Sequence, residues 1–296
     1  MPSAYEDLPT ESVDPSAPDL DRLDPAEIAR RLQWAEVQAG RGVEQALGPI
    51  GEACRAAAAA LAGGGRIVYA GAGTSGRLGV LDAAEMEPTF GAQPGRVVAL
   101  LAGGPPALTR SVEGAEDDQQ AGRKEARGLS LGPPDLVVGI SMSGTAAYVG
   151  GVLEEAAEAG AVTVLLTACA SSPLRARLRI VLELGPELVA GSTRLKGGSA
   201  TKAVLNMIST AAMAGSGAVY RNLMVRVRPT NRKLRDRAER IIMNVAEVPR
   251  DRAAKLLNAA EDEVPVAIVM QRRGLSRAEA QRRLDDCGGS LREALG

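Results

Sequence analysis

The sequence predicts an α/β chain, a parallel sheet with helices on both faces, followed by a small C-terminal helical domain. Three observations predict it. Five short apolar runs, near 67–71, 97–102, 136–141, 162–167 and 180–184, alternate with segments of helical character. Parallel strands need such crossover segments between them. The first and third runs both end in small and hydroxylated residues that open a helix. From about Arg250 the strand-like runs stop, and short helical segments follow, separated by Pro265, Gly274 and Gly288-Gly289.

Residues 1–20 hold Pro9, Pro15 and Pro18 among many Ser, Asp and Glu, which predicts a loose arm. Asp24-Pro25-Ala26-Glu27 then supplies a helix cap, an N1 proline and an N3 acid. Ile28, Leu32, Ala35, Val43 and Leu47 recur at roughly helical spacing. A second helix is expected over 50–61, stopped by Gly63-Gly64-Gly65. These two helices either cover the sheet or meet a second subunit. Ala156, Ala157 and Ala159 allow a later helix to pack closely on the sheet. After the last strand comes a loop of small and polar residues, 191–199. A helix carrying Val204, Leu205, Met207 and Ile208 follows, then another over 231–246. Ser276 and Glu279 form a capping box near the C-terminus. The expected division is an arm at 1–20, an α/β domain with N-terminal helices at 21–248, and a three-helix domain at 249–296.

Composition narrows the chemistry. Among 296 residues 45% are hydrophobic but only 2% aromatic, so the core is built from Ala, Val, Leu and Ile. A net charge of −1 argues against nucleic-acid and anionic-membrane partners. Cys54, Cys169 and Cys287 are odd in number and lack metal-ligand spacing, which fits reduced thiols in a cytoplasmic protein. The first 20 residues are polar and acidic, unlike a signal peptide. The longest apolar run, around 161–170, is too short to span a bilayer. There is no histidine, which excludes histidine-based triads and histidine-ligated metals. Acid–base work near neutral pH then falls to Asp or Glu, with Lys and Tyr in reserve.

The first strand ends in Gly71-Ala72-Gly73-Thr74-Ser75-Gly76. Such a turn aims backbone N–H groups from the positive end of a helix, an arrangement that suits phosphate. It also matches the dinucleotide pattern G-x-G-x-x-G. That reading requires an acid closing the second strand, and Arg96–Gly104 ends without one. A phosphate site is the favoured reading, with a nucleotide cofactor and a purely structural turn as the alternatives. Ser141-Met142-Ser143-Gly144-Thr145 closes the third strand in the same manner. The expected contacts are Gly73, Thr74, Ser75, Ser141, Ser143, Gly144 and Thr145, joined by Ser192 and Lys196 of the later loop. Arg194 and Lys202 are either anion contacts or surface charge. Carboxylates follow at Asp82, Glu85 and Glu87, and a second cluster spans 113–118. Glu85 is either site chemistry or a solvated helix carboxylate, and the 113–118 cluster is site chemistry, a charged helix face or a cation-binding patch. Glu85 lies ten residues past Ser75, about 15 Å along a straight helix. Either the helix breaks at Gly76 or Gly79, or Glu85 serves a neighbouring subunit.

The stretches 71–91, Val112-Glu113-Gly114-Ala115-Glu116-Asp117 and Gly191-Ser192-Thr193-Arg194-Leu195-Lys196 resemble the N-acetylmuramic acid 6-phosphate etherases, within the wider group of sugar-isomerase-type (SIS) domains. The likeness extends to Asn222-Leu223-Met224-Val225, Thr230-Asn231 and the C-terminal helices. It implies a SIS-like fold and a lyase of cell-wall amino-sugar recycling, working as a cytoplasmic homodimer without cofactor or metal. By resemblance Glu85 is the proton donor and Glu116 the base. One carboxyl must then stay protonated near pH 7, held so by burial or by its partner's charge. Met86 and Phe90 are the expected source of burial around Glu85. Two departures stand out. The family's Ser-Gly-Arg-Thr-Pro-Tyr-Val is here Ser143-Gly144-Thr145-Ala146-Ala147-Tyr148-Val149, without the arginine. The family's Glu-Cys-Pro-Pro is here Glu85-Met86-Glu87-Pro88, with an added carboxylate. The alternatives are an aldose–ketose isomerase of the same fold, which needs no second acid at a leaving oxygen, and a non-catalytic sugar-phosphate sensor.

Overall fold

The computed structural model describes residues 8–296. Residues 1–7 of the expected arm lie outside the described residues. The chain divides into two compact units. One takes the described residues up to Ala83 together with Val97–Ser209; the other takes Ala84–Arg96 together with Thr210–Gly296.

In the first unit, α1 (Pro25–Gln45) begins as the sequence predicts, with the Asp24 carboxylate accepting the Ala26 N–H at 2.8 Å. α2 (Leu47–Ala62) starts earlier than expected, because Pro49 falls in its first turn, where no N–H partner is needed. The sheet comprises β1 (Ile67–Gly71), β2 (Val97–Leu101), β3 (Leu136–Ile140), β4 (Val162–Thr167) and β5 (Leu178–Val181), in the order β2-β1-β3-β4-β5. Every pairing is parallel. β5 lies slightly before its expected place, because its partner β4 ends at Thr167, opposite Val181. Among the described arm residues, Leu8 and Thr10 are buried, and the Thr10 carbonyl accepts the Gly191 N–H at 3.1 Å. The arm is therefore packed at that point despite its prolines.

The sheet's two faces follow strand alternation. Val68, Ala70, Val137 and Leu165 share a core with Ala126 of α4 (Gln119–Gly128) and Tyr148, Val149 and Leu153 of α5 (Ala147–Glu158). These two helices meet at backbone distance. A Cβ at Gly122 would lie 2.1 Å from the Tyr148 carbonyl oxygen, and one at Gly151 would lie 2.1 Å from that of Gln119. Gly122→Ala is therefore expected to destabilise the protein by about 1–3 kcal/mol, the usual penalty of overpacking. A lower urea midpoint with unchanged slope would register it, and an unchanged midpoint would show that the helices part without penalty.

On the opposite face Tyr69 meets α3 (Gly73–Phe90). α3 runs unbroken, so the expected break at Gly76 or Gly79 does not occur. Those glycines permit close packing instead. A Cβ at Gly76 would sit 2.4 Å from the Gly71 carbonyl oxygen, and one at Gly79 would sit 2.9 Å from Tyr69 Cβ. α6 (Lys196–Gly215) follows the 191–195 turns.

The second unit holds a two-stranded antiparallel ribbon, β6 (Val219–Tyr220) and β7 (Leu223–Met224). α7 (Arg232–Ala246) is capped by Asn231, whose side chain accepts the Leu234 N–H at 2.9 Å. Then come α8 (Arg250–Ala259), α9 (Val264–Arg273), α10 (Arg277–Asp286) and α11 (Leu291–Leu295). The predicted capping box of Ser276 and Glu279 opens α10. After 249 there are four helices rather than three, because Ser290 caps a further short one. Ile241, Ile242 and Val245 of α7 share one core with Leu256, Ile268, Ala280 and Leu291. That shared core leaves no seam at 248/249, so the compact unit starts earlier than the sequence suggests. No described helix is long and apolar enough to cross a membrane.

Candidate active site

The site begins at the topological switch point. β1 has neighbours on both sides, β2 and β3, and Gly71 pairs in register with Ile140. The turns leaving β1 and β3 therefore start side by side, where open α/β sheets bind ligands. In the first turn Gly73 has φ of +52°, a left-handed backbone that favours glycine. A Cβ at Gly71 would lie 2.6 Å from the Gly76 nitrogen, so the strand end presses directly on the first helical turn. Thr74 and Ser75 remain partly open to solvent.

The second turn has Gly144 at φ of +74°. The buried Ser141 Oγ accepts the Gly144 N–H at 3.1 Å and the Ala146 N–H at 3.4 Å. Ser172 Oγ donates to the Gly144 carbonyl at 2.6 Å. Ser141 thus holds the loop from inside. Ser143 and Thr145, partly exposed, have their hydroxyls 2.9 Å apart. The two turns together offer Thr74, Ser75, Ser143 and Thr145 as accessible hydroxyls.

The loop before α6 carries a residue that sequence reasoning missed. Glu187 is only 4% exposed, and its carboxylate accepts the Gly197 N–H at 2.9 Å and the Lys196 N–H at 3.3 Å. Burial pushes its carboxyl pKa up, against those N–H groups and the Lys196 charge. The available signal was an acid set between Pro186 and the apolar Leu188-Val189-Ala190. The first turn of α6 lies against the two glycine turns. A Cβ at Gly198 would be 3.6 Å from Thr74 Cγ2, and one at Gly197 would be 3.5 Å from Met142 Cγ. Ser192 is partly exposed and its N–H donates to the Val189 carbonyl at 3.0 Å. Lys196 is buried, whereas Arg194 is exposed.

Lys202, one of the two basic residues left open between anion contact and surface charge, is engaged inside the protein. Its Nζ donates to Asp82 Oδ1 at 2.8 Å and contacts Asn206, and the Tyr69 hydroxyl donates to Asp82 Oδ2 at 3.0 Å. Asp82 is 1% exposed, so it is a structural anion rather than a solvated helix carboxylate.

Glu116 sits in a single 3-10 turn, Ala115–Asp117, entered through Gly114 at φ of +71°. Ala115 packs against the core shared by α4 and α5, which seats the turn. Arg77 of α3 pins the preceding loop, donating to the carbonyls of Ala107 at 2.8 Å and Arg110 at 3.1 Å. Glu116 is exposed to solvent. Partial desolvation by the surrounding turn, followed by the neighbouring Asp117 charge, raises its pKa. Glu85 is exposed on α3. Asp82, Met86 and Phe90 form the buried stripe of that helix, and Glu85 falls outside it. Met86 and Phe90 therefore do not bury Glu85, contrary to expectation, because their spacing turns them to another side. The added Glu87 pairs with Arg228 at 3.0 Å. Among the described residues no group of three or more Cys, Asp or Glu side chains is placed to hold a metal ion.

A family model described as the glucokinase regulatory protein N-terminal SIS domain matches residues 50–157. Two curated relatives are the N-acetylmuramic acid 6-phosphate etherases of Salmonella agona (strain SL483) and Salmonella typhi. Each is 47% identical over 290 residues, covering 97% of this chain and 98% of the relative. Among solved structures, a phosphoheptose isomerase from Francisella tularensis is similar with a TM-score of 0.49 at 16% identity, covering 64% of this chain and 100% of that one.

Proposed function

The chain belongs to the N-acetylmuramic acid 6-phosphate etherase family, and from that premise we propose that it cleaves the D-lactyl ether of N-acetylmuramic acid 6-phosphate to N-acetylglucosamine 6-phosphate and D-lactate. The observation that carries this reading is 47% identity along almost the whole of both chains. The phosphate is held by the N–H groups at the start of α3 and by the hydroxyls of Thr74, Ser75, Ser143 and Thr145. The sugar opens to its aldehyde, which acidifies the C2 proton. Glu116 removes that proton. The C3–O bond then breaks with its electron pair moving onto the lactyl oxygen, which Glu85 protonates. Water adds to the resulting unsaturated aldehyde at C3. The raised Glu116 pKa supports the role of base, because a carboxylate of higher pKa is a stronger proton acceptor.

With α3 unbroken, the route left open by the sequence is that Glu85 serves a neighbouring subunit's site. The protein is read as a homodimer for that reason, acting in the cytoplasm as a reduced-thiol enzyme. Leu81 on α3 and Met207 on α6 are 47% and 36% exposed, apolar side chains open to contact with a second copy. The test is incubation with N-acetylmuramic acid 6-phosphate in ¹⁸O-labelled water. Released lactate together with label in the sugar product is expected. Label in the lactate would overturn elimination, and absence of lactate would overturn the function.

A further inference from the structure

We propose that Arg77 is a positioning residue for the base: from the helix that anchors the phosphate it grips the loop between β2 and α4, and so sets where Glu116 stands relative to the bound sugar. This role rests on the etherase reading above.

The loop is fixed at both ends. At its start the Ala102 N–H donates to the Gly71 carbonyl at 3.0 Å, so the loop leaves from the phosphate turn itself. A Cβ at Gly76 would lie 2.5 Å from Leu101 Cδ1, which seats the first turn of α3 on the last residue of β2. At its far end Ala115 packs on the core shared by α4 and α5, and the Asp118 carboxylate caps α4 by accepting the Ala121 N–H at 2.9 Å. Between these ends the chain is held less firmly. Residues 109–114 are exposed. Left-handed glycines stand on either side of the stretch, Gly104 at φ of +65° and Gly114 at φ of +71°, where the backbone has most freedom.

Arg77 holds the middle of that span. It is the fifth residue of α3, two positions after Ser75. Its Nε donates to the Ala107 carbonyl and its Nη2 to the Arg110 carbonyl. Those carbonyls bracket one turn, in which the Arg110 N–H donates to the Pro106 carbonyl at 3.3 Å. A planar guanidinium that spans both carbonyls fixes the turn's orientation as well as its distance. The grip divides one long loop into shorter closed pieces, and a shorter piece samples fewer positions. Beyond it Val112 folds back against Gly103, where an added Cβ would lie 2.8 Å from Val112 Cβ. The Val112 carbonyl then accepts the Ala115 N–H at 3.3 Å, which leads directly into the turn bearing Glu116. Phosphate anchor and base are thus joined through one side chain.

The test compares Arg77→Met and Arg77→Lys with the unaltered full-length protein on N-acetylmuramic acid 6-phosphate. R77M should lower kcat about 10²-fold, the cost of roughly 1 Å of misplacement, with KM little changed. C2 exchange in deuterated water should fall by the same factor as lactate release. R77K, which lacks the planar fork, should fall between R77M and the unaltered protein. Placed on Glu116→Gln, R77M should cause no further loss, because a residue acting through the base has nothing left to position. Hydrogen exchange should show amides 107, 115 and 117 losing protection in R77M while those of α3 keep theirs. Unchanged kcat in R77M, a rise in KM alone, or an equal loss on the E116Q background overturns the role. Should R77M fail to fold, unchanged kcat in R77K overturns it. These results leave the etherase reading standing as long as the unaltered protein releases lactate; if it releases none, that reading fails and this role with it.

Discussion

Glu116→Gln is expected to lower lactate release about 10²–10⁴-fold, the usual contribution of a positioned base. The amide keeps the size of the side chain but cannot accept the C2 proton. In deuterated water the variant should therefore also lose exchange at C2 of the substrate. Glu85→Gln should lose lactate release while keeping C2 exchange, since its proton is needed only at the leaving oxygen. Activity of the unaltered enzyme should depend on pH in a definite sense. A base works ionised, so kcat/KM should fall as pH drops through the Glu116 pKa. Because that pKa is raised, the fall should begin at higher pH than an ordinary glutamate would give. Refolding E85Q and E116Q chains together should restore turnover in mixed dimers, because one site then receives both intact carboxyls. No recovery would place both glutamates in one subunit's site. Full C2 exchange in E116Q would remove Glu116 from the mechanism.

Lys202→Met is expected to destabilise the fold by about 3 kcal/mol, the lower end of what an orphaned buried charge costs. The lower end applies because the Lys202 side chain is itself 31% exposed. Among the described residues Asp82 would keep only the Tyr69 hydroxyl as a side-chain partner. Urea denaturation measures the loss. The double variant Asp82→Asn with Lys202→Met should recover part of it, since a neutral amide needs no countercharge. A loss below about 0.5 kcal/mol, the level of an ordinary surface change, would show that water reaches Asp82.

The parts of the fold that are local in sequence were legible. β1 to β4 are apolar runs bounded by turn residues, and the paired turns at their ends announce themselves through Gly71, Gly73, Ser141 and Gly144. What escaped depends on distant partners or on helical phase. Asp82 and Lys202 are 120 residues apart, so neither reveals the other. Glu187 caps a helix from ten residues upstream, outside the short spacing that a capping box obeys. Gly76 and Gly79 read as breakers, but a strand and a tyrosine lie where their side chains would be. The position of Glu85 was recoverable: Asp82, Met86 and Phe90 recur every four residues, and Glu85 is out of that phase. The 248/249 seam followed a change in composition, whereas the compact unit follows a shared core.

The Glu187 carboxylate gives the start of α6 a resident counterion supplied by the chain itself. That turn is settled before any ligand arrives, so docking there carries no ordering entropy for its backbone. Its amides are also withdrawn from competition for phosphate, which leaves the two glycine turns as the anion's destination. A phosphate mimic should consequently protect the amides of 73–75 from hydrogen exchange while leaving the protection of 196 and 197 unaltered.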